Sequence, residues 1–133
     1  MNPPDGYPRI SPYLNYEDTG AMIAWLTQAF GMADRHSLMN ADGQVRHAEM
    51  TLEDSIVMMG SPGGSFRNPK NLGQVTSSLY IYIDGVDEHC AKARAAGAEI
   101  IEEPNDQPYG DRRYGACDPE GHHWFFASRQ ETS

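Results

Sequence analysis

Cysteine, positive charge and long apolar runs are all scarce in this sequence of 133 residues. Lys and Arg number 10 against 19 Asp and Glu, so the formal charge is −9, which argues against a surface for nucleic acid or anionic membranes. No apolar run approaches the length that crosses a bilayer, and the N-terminal residues lack a secretion signal. We therefore expect a cytoplasmic protein with no nucleic-acid or membrane partner.

The two cysteines, Cys90 and Cys117, do not have the spacing of a metal-binding motif. In a cytoplasmic protein such a pair is more typical of reduced, buried small side chains than of a disulfide or a nucleophile. A chain of this length folds without covalent cross-links. The sequence therefore predicts a single domain over residues 1–133.

The sequence does contain a weak internal repeat with an offset of 67 residues. Residues 11–18 (SPYLNYED) match 78–85 (SLYIYIDG) in pattern, with 78 − 11 = 67. Residues 55–61 (SIVMMGS) match 122–128 (HHWFFAS) at the same offset. An internal repeat of this length predicts two copies of one structural unit.

The first copy, residues 8–61, has the pattern strand, helix, strand, strand, strand. Asp18 or Thr19 suits the N-cap of the helix, and Gly31 suits its C-terminal end. Asp42-Gly43 suits a two-residue hairpin turn. The apolar positions of the helix share one face: Met22, Ile23, Leu26 and Phe30. The strands are predicted at 10–16, 33–40, 44–53 and 55–60.

The second copy, residues 77–128, repeats this order after a Gly-, Pro- and Ser-rich connector over 62–76. Its helix over 86–96 buries Val86, Cys90 and Ala93, and Gly97 ends it. The strands are predicted at 77–84, 98–103, 111–117 and 122–128. A helix then covers one face of each sheet, so the fold class is α+β: two βαβββ modules that form a shared curved sheet with a central cavity. Such a cavity predicts a ligand site.

Several segments resemble the vicinal oxygen chelate superfamily, which includes glyoxalase I, extradiol dioxygenases and bleomycin-resistance proteins. These segments are 95–100 (AAGAEI), 106–113 (DQPYGDRR), and 118–121 (DPEG) leading into 123–126 (HWFF). The resemblance covers residues 8–128 and implies the two-module fold. It does not fix the activity, because the superfamily contains lyases, oxygenases, epimerases and plain binding proteins.

The resemblance also implies four positions for a divalent metal, on the first and fourth strands of each module. Matched onto this sequence, they are Ser11, Met58, Ser78 and Phe125, with Met58 placed by the repeat (125 − 67 = 58). Phe cannot coordinate a metal, a neutral Ser hydroxyl is a poor ligand, and a lone thioether prefers soft ions. We therefore expect no metal and no other cofactor; a divalent metal at another site is the alternative.

Strand alternation instead makes these positions the floor of a ligand cavity. Ser78, Tyr80 and Tyr82 share one strand face, opposite Leu79 and Ile81. The same alternation adds further residues to the inward face: Tyr13, Asn15, Met58, His123 and Phe125. Aromatic rings with a few polar groups suit a planar or cationic organic ligand. The alternative is that the rings fill a closed core.

His36, His47 and Glu49 form a second predicted cluster. If Asp42-Gly43 is a two-residue turn, His36 pairs with Glu49 and Leu38 pairs with His47. The cluster then suits a metal in a position that the family does not use, or a general base in which Glu49 orients a histidine. The alternatives are a weak charge pair near the sheet edge or residues that line the cavity. His47 and Glu49 are the only catalytic candidates.

Two further pairs lie near the predicted cavity. Arg112 and Arg113 either anchor an anionic ligand group at its mouth or lie at a solvated loop end. His122 and His123 point to opposite faces because they are neighbours on a strand. Of these four residues, we therefore expect His123 and Arg113 to contact a ligand.

These observations predict a metal-free protein that binds a small aromatic or cationic organic molecule without chemistry. The family resemblance further implies a homodimer. One alternative is a metal-dependent lyase or dioxygenase that uses a non-standard site. Another is an assembly or regulatory domain with a vestigial cavity.

Overall fold

The computed structural model describes residues 2–130, which form eight strands and three helices. The first elements are β1 (Tyr13–Asn15), α1 (Thr19–Phe30), β2 (Ala33–Met39), β3 (Val45–Leu52) and β4 (Ser55–Gly60). The later elements are α2 (Pro69–Leu72), β5 (Ser78–Tyr82), α3 (Val86–Ala95), β6 (Glu99–Asp106), β7 (Asp111–Cys117) and β8 (His123–Arg129). None of the helices within residues 2–130 combines the length and the apolar composition of a membrane-spanning segment.

The chain divides into two units, with the boundary between Arg67 and Asn68. Each unit contains one four-stranded sheet, in the order β1-β4-β3-β2 in unit one and β5-β8-β7-β6 in unit two. In each sheet the first pair of strands is parallel and the other pairs are antiparallel. The predicted element order is therefore confirmed in both units.

The offset of 67 residues also relates the strand registers of the two units. In unit one, Tyr13 pairs with Met58. In unit two, Tyr80 pairs with Phe125. Both members of the second pair lie 67 positions after those of the first (80 − 13 = 67 and 125 − 58 = 67). The internal repeat is therefore a repeat of backbone pairing as well as of sequence pattern.

In unit one, the helix α1 packs on β2 and β3 through its apolar face. Asp18 caps the helix, since its Oδ1 accepts the backbone N–H of Ala21 at 3.1 Å. Gly31 ends it in the left-handed conformation, at φ 73°. Both ends were predicted. The buried face consists of Thr19, Met22, Leu26, Ala29 and Phe30, whereas the predicted Ile23 is only half-buried.

The β2–β3 hairpin has the predicted pairing but a longer turn than the predicted Asp42-Gly43. His36 pairs with Glu49 and Leu38 pairs with His47. The register then shifts between Leu38 and Met39, and residues 40–44 form the connection. The wider turn is stabilised by the side chains of Asn40 and Asp42, which accept the backbone N–H of Gln44 at 3.0 and 3.2 Å.

In unit two, the helix α3 buries Val86, Cys90 and Ala93, as predicted. It packs on β6, β7 and β8, whose inner side chains include the fully buried and stacked rings of Tyr114, Trp124 and Phe126. Cys90 is thus a buried free thiol, whereas the free thiol of Cys117 is only half-buried. The largest side chains in the core of this unit are therefore aromatic.

The predicted connector over 62–76 contains the short helix α2, which its composition did not reveal. Asn68 caps this helix by accepting the backbone N–H of Asn71 at 2.9 Å, and Pro69 occupies its first turn. The Asn68 Nδ2 also donates to Glu120 Oε1 at 2.8 Å. The helix is thereby attached to the turn that precedes β8.

That turn, between β7 and β8, is organised by the buried carboxylate of Asp118. Its Oδ1 accepts the backbone N–H groups of Glu120 at 3.0 Å and His122 at 3.1 Å. Its Oδ2 accepts the indole N–H of Trp124 at 3.0 Å. Gly121 completes the turn at φ 96°. One side chain thus joins the turn to the aromatic core.

Candidate functional site

The face of the unit-two sheet that α3 leaves uncovered carries the predicted tyrosines. Tyr80 and Tyr82 are 41% and 58% exposed, whereas Leu79 and Ile81, which alternate with them along β5, are half-buried. Tyr80 pairs with Phe125, and Tyr82 with Ala127. The predicted alternation on this strand therefore agrees with the structure, and the two rings do not fill a closed core.

Both phenols donate to the same oxygen of the buried Asp111. The distances from Tyr80 Oη and Tyr82 Oη to Asp111 Oδ2 are each 2.8 Å. Arg129 Nη1 lies 3.3 Å from the other oxygen. Burial favours the neutral acid, but these three partners together hold the pKa of Asp111 below its usual value. The site therefore contains a buried carboxylate with fixed donors.

The same carboxylate keeps both phenols protonated. Burial and then the hydrogen bonds with Tyr109 and Asp111 raise the pKa of Tyr80. The hydrogen bond to Asp111 is the main cause that raises the pKa of Tyr82. At neutral pH each phenol therefore remains a neutral donor to the carboxylate, and its ring keeps one orientation.

Tyr109 and Arg113 extend this group of rings. Tyr109 Oη lies 3.0 Å from Tyr80 Oη and accepts from Arg113 Nη1 at 3.2 Å. The Arg113 guanidinium also donates to Glu102 at 3.1 Å and lies 5.3 Å from the centre of the Phe125 ring. Its charge is thus compensated inside the unit. A role for Arg113 in anchoring an anionic ligand stays a prediction.

Arg112 does not lie at a solvated loop end. It is in β7 and donates to Asp87 through two nitrogens, each at 2.8 Å, and to Asp106 at 3.1 Å. Arg113 follows it in the same strand. That alternative is therefore wrong for both arginines, because strand pairing and carboxylate partners hold them.

A glycine makes room for an aromatic ring in each sheet. In unit two, a Cβ built on Gly115 would lie 2.7 Å from Cε1 of Phe125, so the ring occupies the space of a missing side chain. In unit one, a Cβ on Gly60 would overlap the phenol oxygen of Tyr13. Phe125 and Tyr13 therefore lie close against their sheets.

A groove of about 480 Å³ lies in unit two beside the connector helix. The predicted His123 lines it, together with Lys70, Glu99, Ile101 and Cys117. His123 pairs with Ser78 on β5 and with Cys117 on β7. Burial raises the pKa of the Cys117 thiol, which disfavours the reactive thiolate. The groove therefore offers shape and polar groups but no activated sulfur.

In unit one, the uncovered face carries the predicted His36, His47 and Glu49. One row of paired residues across the sheet contains Tyr13, Met58, Glu49 and His36. The next row contains Asn15, Gly60, His47 and Leu38. Cross-strand partners share a face, so the structure places all the predicted unit-one residues together.

Glu49 is the centre of this face and is not a surface charge. It is 6% exposed and accepts the phenol O–H of Tyr7 at 2.8 Å. Arg35 Nε lies 3.6 Å from the same oxygen, and His47 Nε2 lies 3.3 Å from the other. Burial opposes ionisation, but the hydrogen bonds from Tyr7 and His47 hold the pKa of Glu49 below its usual value. The prediction of a weak charge pair at the sheet edge is therefore wrong.

Sequence reasoning missed four contributors to these faces: Tyr7, Arg35, Tyr109 and Asp111. Arg35 lies at a register shift between Asp34 and His36, and such an irregularity redirects a side chain that strict alternation assigns to the other face. Tyr7 precedes every regular element. No periodic signal marks a residue whose partner is 42 positions away.

The four family metal positions do not fit a divalent ion in this structure. Ser11 precedes β1, and Met58, Ser78 and Phe125 lie on strands without a carboxylate or imidazole in their place. Across residues 2–130, no group of three or more His, Cys, Asp or Glu side chains is arranged to hold a metal ion. The His36, His47 and Glu49 cluster is thus not arranged as a metal site.

The chain is similar to several known proteins. The sequence profile described as Glyoxalase/Bleomycin resistance protein/Dioxygenase superfamily matches residues 9–126. The uncharacterized protein Mb0911c of Mycobacterium bovis is 30% identical over 122 residues, which cover 88% of this chain and 80% of that protein. TioX from Micromonospora sp. ML1 is 30% identical with a TM-score of 0.76, and the match covers 92% of this chain and 98% of that one.

A more distant solved structure shows the same fold. The glyoxalase/bleomycin resistance protein/dioxygenase family enzyme from Burkholderia phytofirmans PsJN is 20% identical, with a TM-score of 0.65. The match covers 88% of this chain and 96% of that chain. Together with the strand orders above, these likenesses confirm the predicted α+β fold of two βαβββ modules.

Proposed function

Because this chain belongs to the glyoxalase/bleomycin resistance protein/dioxygenase superfamily, we propose that it binds a small aromatic or cationic organic molecule without a metal. The ligand contacts the uncovered sheet faces, where the exposed tyrosines lie. Membership in the superfamily alone does not select this function, since its members differ in chemistry. The selection rests on the side chains that occupy these faces.

One observation carries the proposal: two exposed rings are held by one buried carboxylate. Tyr80 and Tyr82 both donate to Asp111 Oδ2 at 2.8 Å, so neither ring needs to be ordered when a ligand arrives. A preorganised surface binds more tightly because the entropy of ordering has already been lost. Exposed faces of tyrosine attract planar rings and cations. The overall charge of −9 also favours a cationic ligand.

The proposal is tested by calorimetric titration with a panel of planar aromatic cations. Replacing Tyr80 or Tyr82 with leucine is expected to weaken binding about tenfold or more, because one stacking contact contributes about 1–3 kcal/mol. The matched control is Phe66→Leu, which removes an aromatic ring outside both sheets. Equal affinity of all three variants and the parent would contradict the proposed surface.

Metal analysis of the same protein preparation tests the metal-free part of the proposal. The protein is prepared without a histidine tag, and its divalent metal content is measured before ligand is added. We expect the metal content to be far below one ion per chain, because the family positions supply no suitable ligands. A near-stoichiometric divalent ion would overturn this part and favour the metal-dependent alternative.

We also propose a homodimer, as the family resemblance implies. The strand β2 is an edge of its sheet, and all seven of its residues are exposed. Leu38 and Met39 on this strand are large exposed apolar side chains, and an apolar edge favours association. Light scattering during size-exclusion chromatography should give twice the monomer mass of 14.8 kDa. A monomer at micromolar concentration would contradict it.

A further inference from the structure

Three side chains on the uncovered face of unit one form a hydrogen-bonded line from a buried carboxylate to an exposed phenol. Glu49 Oε2 lies 3.3 Å from His47 Nε2, and His47 Nδ1 lies 3.0 Å from Tyr13 Oη. Glu49 is 6% exposed and Tyr13 is 49% exposed. The line therefore runs from the interior of the unit to its surface.

Glu49 determines which ring nitrogen of His47 carries the proton. An ionised carboxylate only accepts hydrogen bonds, so the hydrogen of a neutral imidazole lies on Nε2. Nδ1 is then an acceptor, and the Tyr13 phenol donates to it. A nucleophile, a base within hydrogen-bond distance, and a third group that orients the base are the parts of an activated nucleophile.

The neighbours of Glu49 occupy one of its two carboxylate oxygens and leave the other to His47. Tyr7 and Arg35 contact Glu49 Oε1, at 2.8 and 3.6 Å, and so leave Oε2 to His47. Arg35 also lies 4.8 Å from the centre of the Tyr7 ring. His36 faces Glu49 from β2. The carboxylate is therefore fixed from one side and orients the imidazole on the other.

Gly60 fixes the outer end of the line. The phenol oxygen of Tyr13 occupies the place of a side chain at this position, and a Cβ there would also lie 2.8 Å from the backbone oxygen of Arg46. The Tyr13 and His47 rings are 5.6 Å apart between centres. The absence of a side chain at position 60 thus allows the phenol to approach the imidazole.

From this geometry we propose that Tyr13 is a nucleophile that accepts an acyl group, with His47 as its general base and Glu49 as a positioning residue. The substrate class is an activated ester, such as an aryl ester or a thioester. A phenol is itself a good leaving group. The acyl group therefore moves to Tyr13 only from an ester whose alcohol or thiol part departs as readily as a phenol does. The proposal does not depend on ligand binding at unit two.

The step balances without a metal, an oxidant or a reductant. Tyr13 Oη forms a bond to the carbonyl carbon, while its proton passes to His47 Nδ1. The bond between that carbon and the leaving oxygen or sulfur breaks, and the leaving group takes the electron pair and the proton from His47. Water then attacks the acyl carbon and gives one proton to His47, the bond from that carbon to Tyr13 Oη breaks, and Tyr13 takes the same proton from His47 as the carboxylic acid is released.

The test uses the full chain and p-nitrophenyl acetate. We expect a stoichiometric burst of p-nitrophenolate and, by peptide mass spectrometry, an acetyl group on Tyr13. Tyr82 is an internal control, because it is more exposed, at 58%, but donates to a carboxylate and not to an imidazole. Acetylation spread over Tyr82, Tyr109 and the lysines in proportion to exposure would overturn the proposal.

Substitutions separate the three roles. Tyr13→Phe removes one oxygen and should abolish the burst. His47→Gln should slow it at least about tenfold, since general-base catalysis typically contributes 10²–10⁴-fold. Glu49→Gln should slow it and change its pH profile, whereas His122→Gln in unit two serves as the unchanged control. A burst that persists in Tyr13→Phe, or an unaltered rate in folded His47→Gln, would refute the assignment.

Discussion

Replacing Asp118 with alanine is expected to lower the free energy of unfolding by about 3–4 kcal/mol. The carboxylate accepts two backbone N–H groups, from Glu120 and His122, and the indole N–H of Trp124. Trp124 is fully buried, so its N–H has no access to water once the acceptor is gone. A buried donor without a partner costs about 1–3 kcal/mol by itself. Urea denaturation followed by far-UV circular dichroism measures the loss.

Two variants show whether the hydrogen bonds cause that loss. Asp118→Asn keeps one oxygen for the backbone groups but turns an amide N–H₂ towards the indole. It should therefore lose about half as much stability as alanine. Asp34→Ala removes an exposed carboxylate from the edge strand β2 and should change stability by less than about 0.5 kcal/mol. A loss below about 1 kcal/mol in Asp118→Ala would show that the turn does not depend on this side chain.

Replacing Gly121 with alanine should lower the free energy of unfolding by about 2–4 kcal/mol. Two causes act together. At φ 96° the backbone is in a region that side chains disfavour, and a Cβ would lie 2.5 Å from the backbone nitrogen of Lys70. Backbone cannot move aside as a flexible side chain does, so the hydrogen bond from Lys70 N to Glu120 O must also be disturbed.

Gly97 provides a matched control for the second cause. Its φ of 98° is nearly the same, but within the described residues a Cβ built there meets no heavy atom within 4 Å outside its chain neighbours. Gly97→Ala should therefore cost only about 1–2 kcal/mol, from the backbone conformation alone. Equal losses in both variants, measured by the same urea titration, would mean that the contact with Lys70 contributes nothing.

Much of the fold follows from periodic signals that the sequence carries locally. The alternation of Leu79, Tyr80, Ile81 and Tyr82 places the tyrosines on the uncovered face, and the helical spacing of Val86, Cys90 and Ala93 identifies the buried face of α3. The repeat adds a long-range relation, because it equates the pair Tyr13 and Met58 with the pair Tyr80 and Phe125. Local period and internal repeat together specify which residues share a surface.

The hydrogen-bond partners within those surfaces do not follow from period. Asp111 lies 31 positions from Tyr80, and Tyr7 lies 42 positions from Glu49. Each contacts its partner only because the tertiary structure brings these distant segments of the chain together. The irregular backbone at Arg35 reverses the alternation that a regular strand would predict. The residues of the candidate site could thus be listed from sequence, but the contacts that fix and polarise them could not.

The Asp111 carboxylate, which Tyr80 and Tyr82 share, also determines which oxygen donates and which accepts in the hydrogen bonds among the tyrosines of unit two. Tyr80 and Tyr82 have one hydrogen each, and both hydrogens point to Asp111. Tyr109, which accepts from Arg113, must then give its own hydrogen to Tyr80. All three phenols therefore present only lone pairs to their surroundings. A molecule that meets these oxygens must bring the hydrogens itself, so amines and amides are distinguished there from carboxylates and phosphates by bond polarity as well as by charge.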